Sequence, residues 1–261
     1  MTVLDARPGV GDLLKAWRGK RRMSQFDLSL AAEVSTRHLS YVETGRARPS
    51  RAFLLHVAEH LDLPLRARND LLVAGGYAPV YAETDLEDPS MAEVRHALDL
   101  VLAQQEPFPA IVVDQCWNLV RSNEGAAVLW EELDPRFLED GNVLRASLHP
   151  DGMASRIEDL EVVSGHLLSR LRRQAALTGD PRLAALYDEL AAYPGVAVVE
   201  PLTDHPGVVL PVRFRTRRGL LSFFTTAATF GTAADVTLSE LTVECFFPAD
   251  EPTRLALTVS G

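Results

Sequence analysis

Lysine is nearly missing from this chain of 261 residues: Lys15 and Lys20, both close to the N-terminus, are all it has. With none beyond position 20, the rest of the sequence can build neither a Ser–Lys protease dyad nor the Schiff-base lysine of a pyridoxal-phosphate site. Cysteine is just as scarce. Cys116 and Cys245 are too few to staple a secreted fold, so reduced, buried thiols are expected. No stretch approaches ~18 uninterrupted apolar residues, and the N-terminus lacks a signal-peptide core, which points to a cytosolic protein without a membrane partner. His149, His166 and His205 are scattered, without the short spacing of a metal cage, so no metal is expected. His56-Val-Ala-Glu59-His60 does match the H-x-x-E-H pattern of inverted zinc peptidases. It falls just after a segment read below as nucleic-acid-binding, outside any cleft, and solvated polar positions are the expectation there. No catalytic set emerges, and the chain is read as a non-enzyme.

What is present is an uneven charge. The formal net charge is -10, which taken alone argues against a nucleic-acid partner. Residues 1–74, however, hold 12 Lys or Arg against 8 Asp or Glu, whereas residues 75–261 hold 14 against 28. A basic head is joined to an acidic body. Length suggests two domains, and a hydrophobic content of 47% can bury a sizeable core. The reading is a helical unit over 1–76, a connector over 77–90 rich in Pro and acidic residues, and a second domain over 91–261.

Met23 to Gly45 carries the most information. Ser24 can cap a helix whose Leu28, Ala31 and Ala32 fall on a face that must be buried, Val34 packs at a corner, and Ser35 caps a second helix. Leu39 and Val42 lie on that helix's inner face, and Thr36, Arg37, Ser40 and Tyr41 on its outer one. A polar face near a helix N-terminus is what reading the major groove requires. Candidate DNA contacts are therefore Gln25, Ser35, Thr36, Arg37, Ser40, Tyr41, Arg46 and Arg48, with Arg37 the strongest base reader. Lys15, Arg18, Lys20, Arg21, Arg22 and Arg51 are available for phosphates. One recognition helix reads only a few base pairs, so a homodimer on an inverted-repeat operator is expected. A short hairpin that does nothing but pack is the bland alternative.

The stretch resembles the lambda-repressor-like (XRE) helix-turn-helix regulators. The resemblance is carried by Ser24, Gln25, Leu28, Ala31, Val34, Ser35, Leu39, Ser40, Glu43 and Gly45, then Arg48, Pro49, Leu54, Ala58 and Leu61. It implies an ion pair between Arg18 and Glu43. Glu33 stands where many members have Gly, implying some left-handed strain.

Flanking helices are expected over Gly11–Arg22, Ser50–Leu61 and Leu65–Ala74, completing five. Beyond the connector, Ser90 and Glu93 fit a capping box for a helix ending at Pro107. Ala110–Val113 and Trp117–Arg121 read as a hairpin about Asp114 and Gln115. Helical segments follow near Asn123–Trp130, Ala154–Leu177 and Pro181–Tyr193. Strand-like runs close the chain at Val208–Arg215, Leu220–Thr229 and Val236–Phe247. The expected fold class is thus α followed by α+β, with a PAS-like antiparallel five-stranded sheet under helices on one face.

Residues from about Arg95 to Pro252 resemble the ligand-binding domain of MmyB-like regulators. The matching segments are Pro109–Asp114, Trp117-Asn118, Asn123–Ala126, Phe230–Thr232, Asp235–Leu238, Glu240-Leu241 and Phe246–Asp250. The resemblance implies a bacterial, nucleoid-associated regulator holding a small apolar ligand, fatty-acid-like, with no other cofactor. Alternation and helical spacing nominate Trp117, Leu119, Leu129, Phe137, Leu167, Leu171, Phe214, Phe223 and Phe246 as its pocket, though each is equally an ordinary core residue. Arg213 and Arg215 are expected to pair with Glu244, and Arg170, Arg172 and Arg173 are candidates to anchor a carboxylate. Two other readings stand beside this one: a thiol sensor using Cys116 or Cys245, and a scaffold with a closed, packed pocket.

Overall fold

A computed structural model describes residues 8–198 and 211–258. Val208–Leu210 and His205 lie outside the described residues. Two compact units result: one runs to Glu83 and takes in Ala176–Thr178 and Ala234–Val236, and the other holds the remainder.

The first unit is built from α1 (Val10–Lys20), α2 (Gln25–Ala31), α3 (Thr36–Glu43), α4 (Arg51–His60) and α5 (Leu65–Ala74). Its helix starts are local chemistry. Ser24 accepts from the Asp27 amide while Asp27 accepts from the Ser24 amide, a reciprocal capping box, and Ser35 and Ser50 cap α3 and α4. Leu14, Trp17, Leu28, Leu39, Val42, Leu54 and Leu71 meet in one core. Ala31 is exposed, contrary to the expected face: Ser29 takes the buried position with Leu28 and Ala32. Glu33 has φ +51°, the left-handed backbone expected at the corner. Gly11 lets α1 approach α3, since a Cβ there would lie 2.6 Å from the carbonyl oxygens of Val42 and Glu43.

The second unit begins with a 3₁₀ turn, Pro89–Met91, capped by Asp88, which corrects the Ser90–Glu93 box: Asp88 accepts from both the Ser90 amide and hydroxyl. Then follow α6 (Ala92–Gln105), β1 (Ala110–Val113), β2 (Leu119–Ser122), α7 (Ala127–Trp130), α8 (Pro135–Asp140), α9 (Val143–Leu148), α10 (Leu160–Thr178), α11 (Pro181–Ala191), β3 (Val212–Thr216), β4 (Gly219–Thr229), α12 (Val236–Ser239), β5 (Thr242–Pro248) and α13 (Glu251–Thr258). The sheet is antiparallel throughout, in the PAS-like order β2-β1-β5-β4-β3.

Three differences from the sequence reading have local causes. The last strand-like run opens as α12 and becomes strand only from Thr242. Trp117 sits in the β1–β2 turn at φ +67°, not in a strand. Asp114 makes that turn: its carboxylate accepts from the amides of Cys116 and Asn118 and from the Asn118 side chain. The helices also cover more than one face. Ile111, Val113 and Leu144 pack with α10 and α11, whereas Val112, Val243 and Cys245, pointing the other way, pack with Leu98 and Leu102 of α6.

Candidate functional site

On α3, Arg37 is exposed, and Ser40 and Tyr41 are partly so. The Arg37 Nε donates to the Tyr41 hydroxyl at 3.0 Å, and the guanidinium lies 5.3 Å from the centre of the Tyr41 ring. With the Nε–H bonded to Tyr41, the guanidinium keeps four N–H donors for the outer face, beside the Tyr41 hydroxyl. Ser35, Arg46 and Arg48 are exposed as well. Two nominated residues face inward with their polar atoms. Thr36 shares a hydrogen bond of 2.7 Å with Ser29 of α2, and the Gln25 side chain donates to Glu43 at 2.7 Å. Arg21 is likewise turned to structure, donating to the carbonyls of Leu61 and Asp62 at the end of α4.

Glu43 is the hub of this unit. Arg18 grips both its oxygens, at 2.8 and 2.9 Å, and donates its third nitrogen to the carbonyl of Met23. Burial pushes the Glu43 carboxyl up, but the hydrogen bonds from Arg18 and Gln25 outweigh it and hold the group below the usual carboxylate range. His56 gives its Nε2 to the carbonyl of Ala32 at 2.7 Å. Its spacing with His60 therefore has a packing explanation. Among the described residues no group of three His, Cys, Asp or Glu side chains could hold a metal.

The second unit encloses a cavity of about 110 Å³ between sheet and helices. Of the residues nominated for it, Trp117, Leu129, Leu167, Phe214 and Phe246 line its wall. The other four do not. Phe223 is fully buried one layer behind, its ring 6.2 Å from that of Phe214 and 6.1 Å from that of Phe246. Leu171 packs with Leu183, Leu186 and Leu190 of α11, and Leu119 joins the same cluster at the sheet edge. Phe137 is taken by His149 at 5.1 Å and Arg136 at 4.8 Å. Alternation and helical spacing give a residue's face but not its depth, so they do not separate these four from the residues that reach the cavity.

Several wall residues carried no signal at all in the sequence. Val143, Leu144 and Ser147 come from α9, a helix too short to show a period, and Met153 and Ile157 from the segment after it. Val163, His166, Leu167 and Arg170 recur at helical spacing along α10, so their face was legible once the helix was known.

The charged part of the lining is organised around Arg170. It pairs with Glu244 of β5 and lies 4.6 Å from the centre of the Trp117 ring, while Gln174, one turn on, accepts from the Trp117 indole at 2.9 Å. The expected partners of Glu244, Arg213 and Arg215, pair instead with Glu158, because their side chains leave β3 on the opposite face from Phe214. His166 and Thr225 are lining residues that keep solvent exposure. Desolvation, reinforced by Arg170 and Arg173, lowers the His166 pKa and so favours its neutral form. Burial pushes both thiols, Cys116 and Cys245, above the ordinary value, which opposes the thiolate that oxidant sensing needs. No described helix is long and apolar enough to cross a membrane.

Comparison with known proteins accords with this division. Residues 94–258 match the family described as MmyB-like transcription regulator ligand binding domain, and residues 10–71 match a helix-turn-helix domain. No individual curated protein is similar enough to count as a match. The chain belongs to the MmyB-like family, and its two matched domains make it a DNA-binding transcription regulator with a ligand-sensing domain.

Proposed function

We propose that the first unit reads an inverted-repeat operator as a homodimer, through Arg37, Ser40 and Tyr41, and that a small apolar molecule in the second unit's cavity alters this binding. The observation that carries the reading is the cavity, walled mainly by apolar residues such as Trp117, Leu129, Leu144 and Phe214, with Arg170 and Glu244 among its few polar ones. An apolar enclosure with a few convergent polar groups is the usual form of a small-molecule site. The partner is double-stranded DNA, so the protein acts at the bacterial nucleoid. A fatty-acid-like ligand would lay its tail along these walls. About 110 Å³ is less than the ~150 Å³ apolar cavity that accepts benzene, so a short chain fits and a longer one requires the walls to open. Raised thiol pKa values favour this reading over oxidant sensing through Cys116 or Cys245.

The test is operator affinity during titration with short-chain probes that share an apolar tail and carry a carboxylate, an amine or a hydroxyl, in the natural protein and in Val143→Phe, which fills the cavity. A ligand must move operator affinity in the first and not in the second, because it acts only through its preference for one conformation. An identical response in both rejects the cavity as the sensing site. Arg37→Ala should lower discrimination between operator and altered sequences by ~1–3 kcal/mol; unchanged preference rejects the assigned reading face.

A further inference from the structure

The apolar walls suit the tail of a fatty-acid-like ligand, but the lining offers a head group two partners: an anion would recruit Arg170 and a cation would recruit Glu244. The two are not equivalent in this protein. The Glu244 side chain is 6% exposed and fixed on the central strand β5, whereas that of Arg170 is 27% exposed and reaches its partner from α10. An entering carboxylate would have to share Arg170 with a carboxylate that cannot leave, and two like charges would then face each other across one guanidinium. An entering cation meets the reverse situation. It replaces Arg170, whose long side chain can swing into water, and leaves Glu244 paired.

The surroundings match that second case. The guanidinium of Arg170 already occupies a cation position, paired with Glu244 and stacked 4.6 Å above the Trp117 ring. Trp130 and Phe246 supply further aromatic surface on the same cavity. A carboxylate beside aromatic faces is the arrangement that binds ammonium groups. Trp117 is held for this role by an uncommon left-handed backbone, φ +67°, and by the bond from its indole to Gln174.

Resting on the reading of the cavity as a ligand site, we infer that its ligand is a small apolar amine, bound as the ammonium by Glu244 and Trp117 in place of Arg170. Arg170 is then an internal stand-in that holds the site until the amine arrives.

The experiment is calorimetric titration of the full-length protein with pentylamine, pentanoate and pentanol, which share a tail and differ in head charge. Pentylamine should bind at least about tenfold more tightly than either of the others. Glu244→Gln keeps the shape and removes the charge, and should bring the amine down to the alcohol's affinity. Arg170→Met removes the competitor and should tighten amine binding. Should that variant prove unstable, the rise in melting temperature given by each probe to the natural protein supplies the same ranking. Pentanoate binding most tightly, or all three binding alike, overturns the inference while leaving the cavity as a ligand site. Binding by none of the three overturns that reading and the inference with it.

Discussion

Each unit of this protein contains an arginine–glutamate pair with a buried carboxylate, and the two pairs are built for different purposes. In the first unit the side chains of Glu43 and Arg18 are 2% and 14% exposed, and three donors converge on the carboxylate. In the second, Glu244 and Arg170 are 6% and 27% exposed and adjoin a cavity. Saturation with hydrogen bonds makes the first pair a rivet. The vacant volume beside the second makes it exchangeable, because moving Arg170 opens space toward solvent rather than forcing a void into a packed core.

The largest expected effect tests this difference directly. Arg18→Ala strands a buried carboxylate in close packing and should cost ~3–5 kcal/mol of unfolding free energy. Arg170→Ala strands one beside a space that water can enter and should cost roughly 1–2 kcal/mol. Urea unfolding of the two variants measures both, and equal losses would break the comparison.

A smaller effect lies in acid. The folded Glu43 carboxyl stays ionised to lower pH than in the unfolded chain, so its contribution is complete above the unfolded value, near ~4.3, and is lost as pH falls through the lower folded value. Unfolding free energies measured between about pH 5 and pH 3 should therefore fall more steeply in the natural protein than in Glu43→Gln. Parallel slopes would show that the Arg18 and Gln25 bonds do not couple to stability.

The smallest effect is expected at Glu33 and concerns backbone strain. Glu33 and Trp117 both adopt positive φ. Glu33→Gly relieves strain at an exposed corner and should change stability by no more than ~1 kcal/mol, in the stabilising direction. Trp117→Gly gives the same backbone relief but removes a buried indole, and should destabilise by ~3–5 kcal/mol. Melting curves of the two variants should move in opposite directions.

The same contrast explains what could be read from the residues. The first unit is made of local signals: Ser24, Ser35 and Ser50 cap helices within three residues of themselves, and α5 runs over Leu65–Ala74 as its Pro and Gly punctuation implied. The Arg18–Glu43 pair followed from resemblance. The second unit is made of distant ones. Arg170 and Glu244 are 74 positions apart, and no period connects them. Val236, Thr237 and Leu238 supplied β-prone residues, yet Val236–Ser239 formed a turn of helix before the strand began. Pocket depth, which separates Phe214 from Phe223, depends on which neighbours fill the second layer, and that is fixed only when helices and sheet have come together.

One small contact in the first unit bears on how such a regulator can change its target. The hydroxyls of Ser29 and Thr36 are 2.7 Å apart and join α2 to the start of α3. A substitution at position 36 that alters the surface offered to DNA also cuts this link, so it changes the angle of the helix together with its chemistry. Arg37 carries no such obligation to another helix, its side-chain bond being to Tyr41 on the same one. New operator preferences therefore have an open route through positions 37 and 41, altered together, and a hindered one through 36. Among homologues that recognise different operators, 37 and 41 should covary while 36 keeps a hydroxyl.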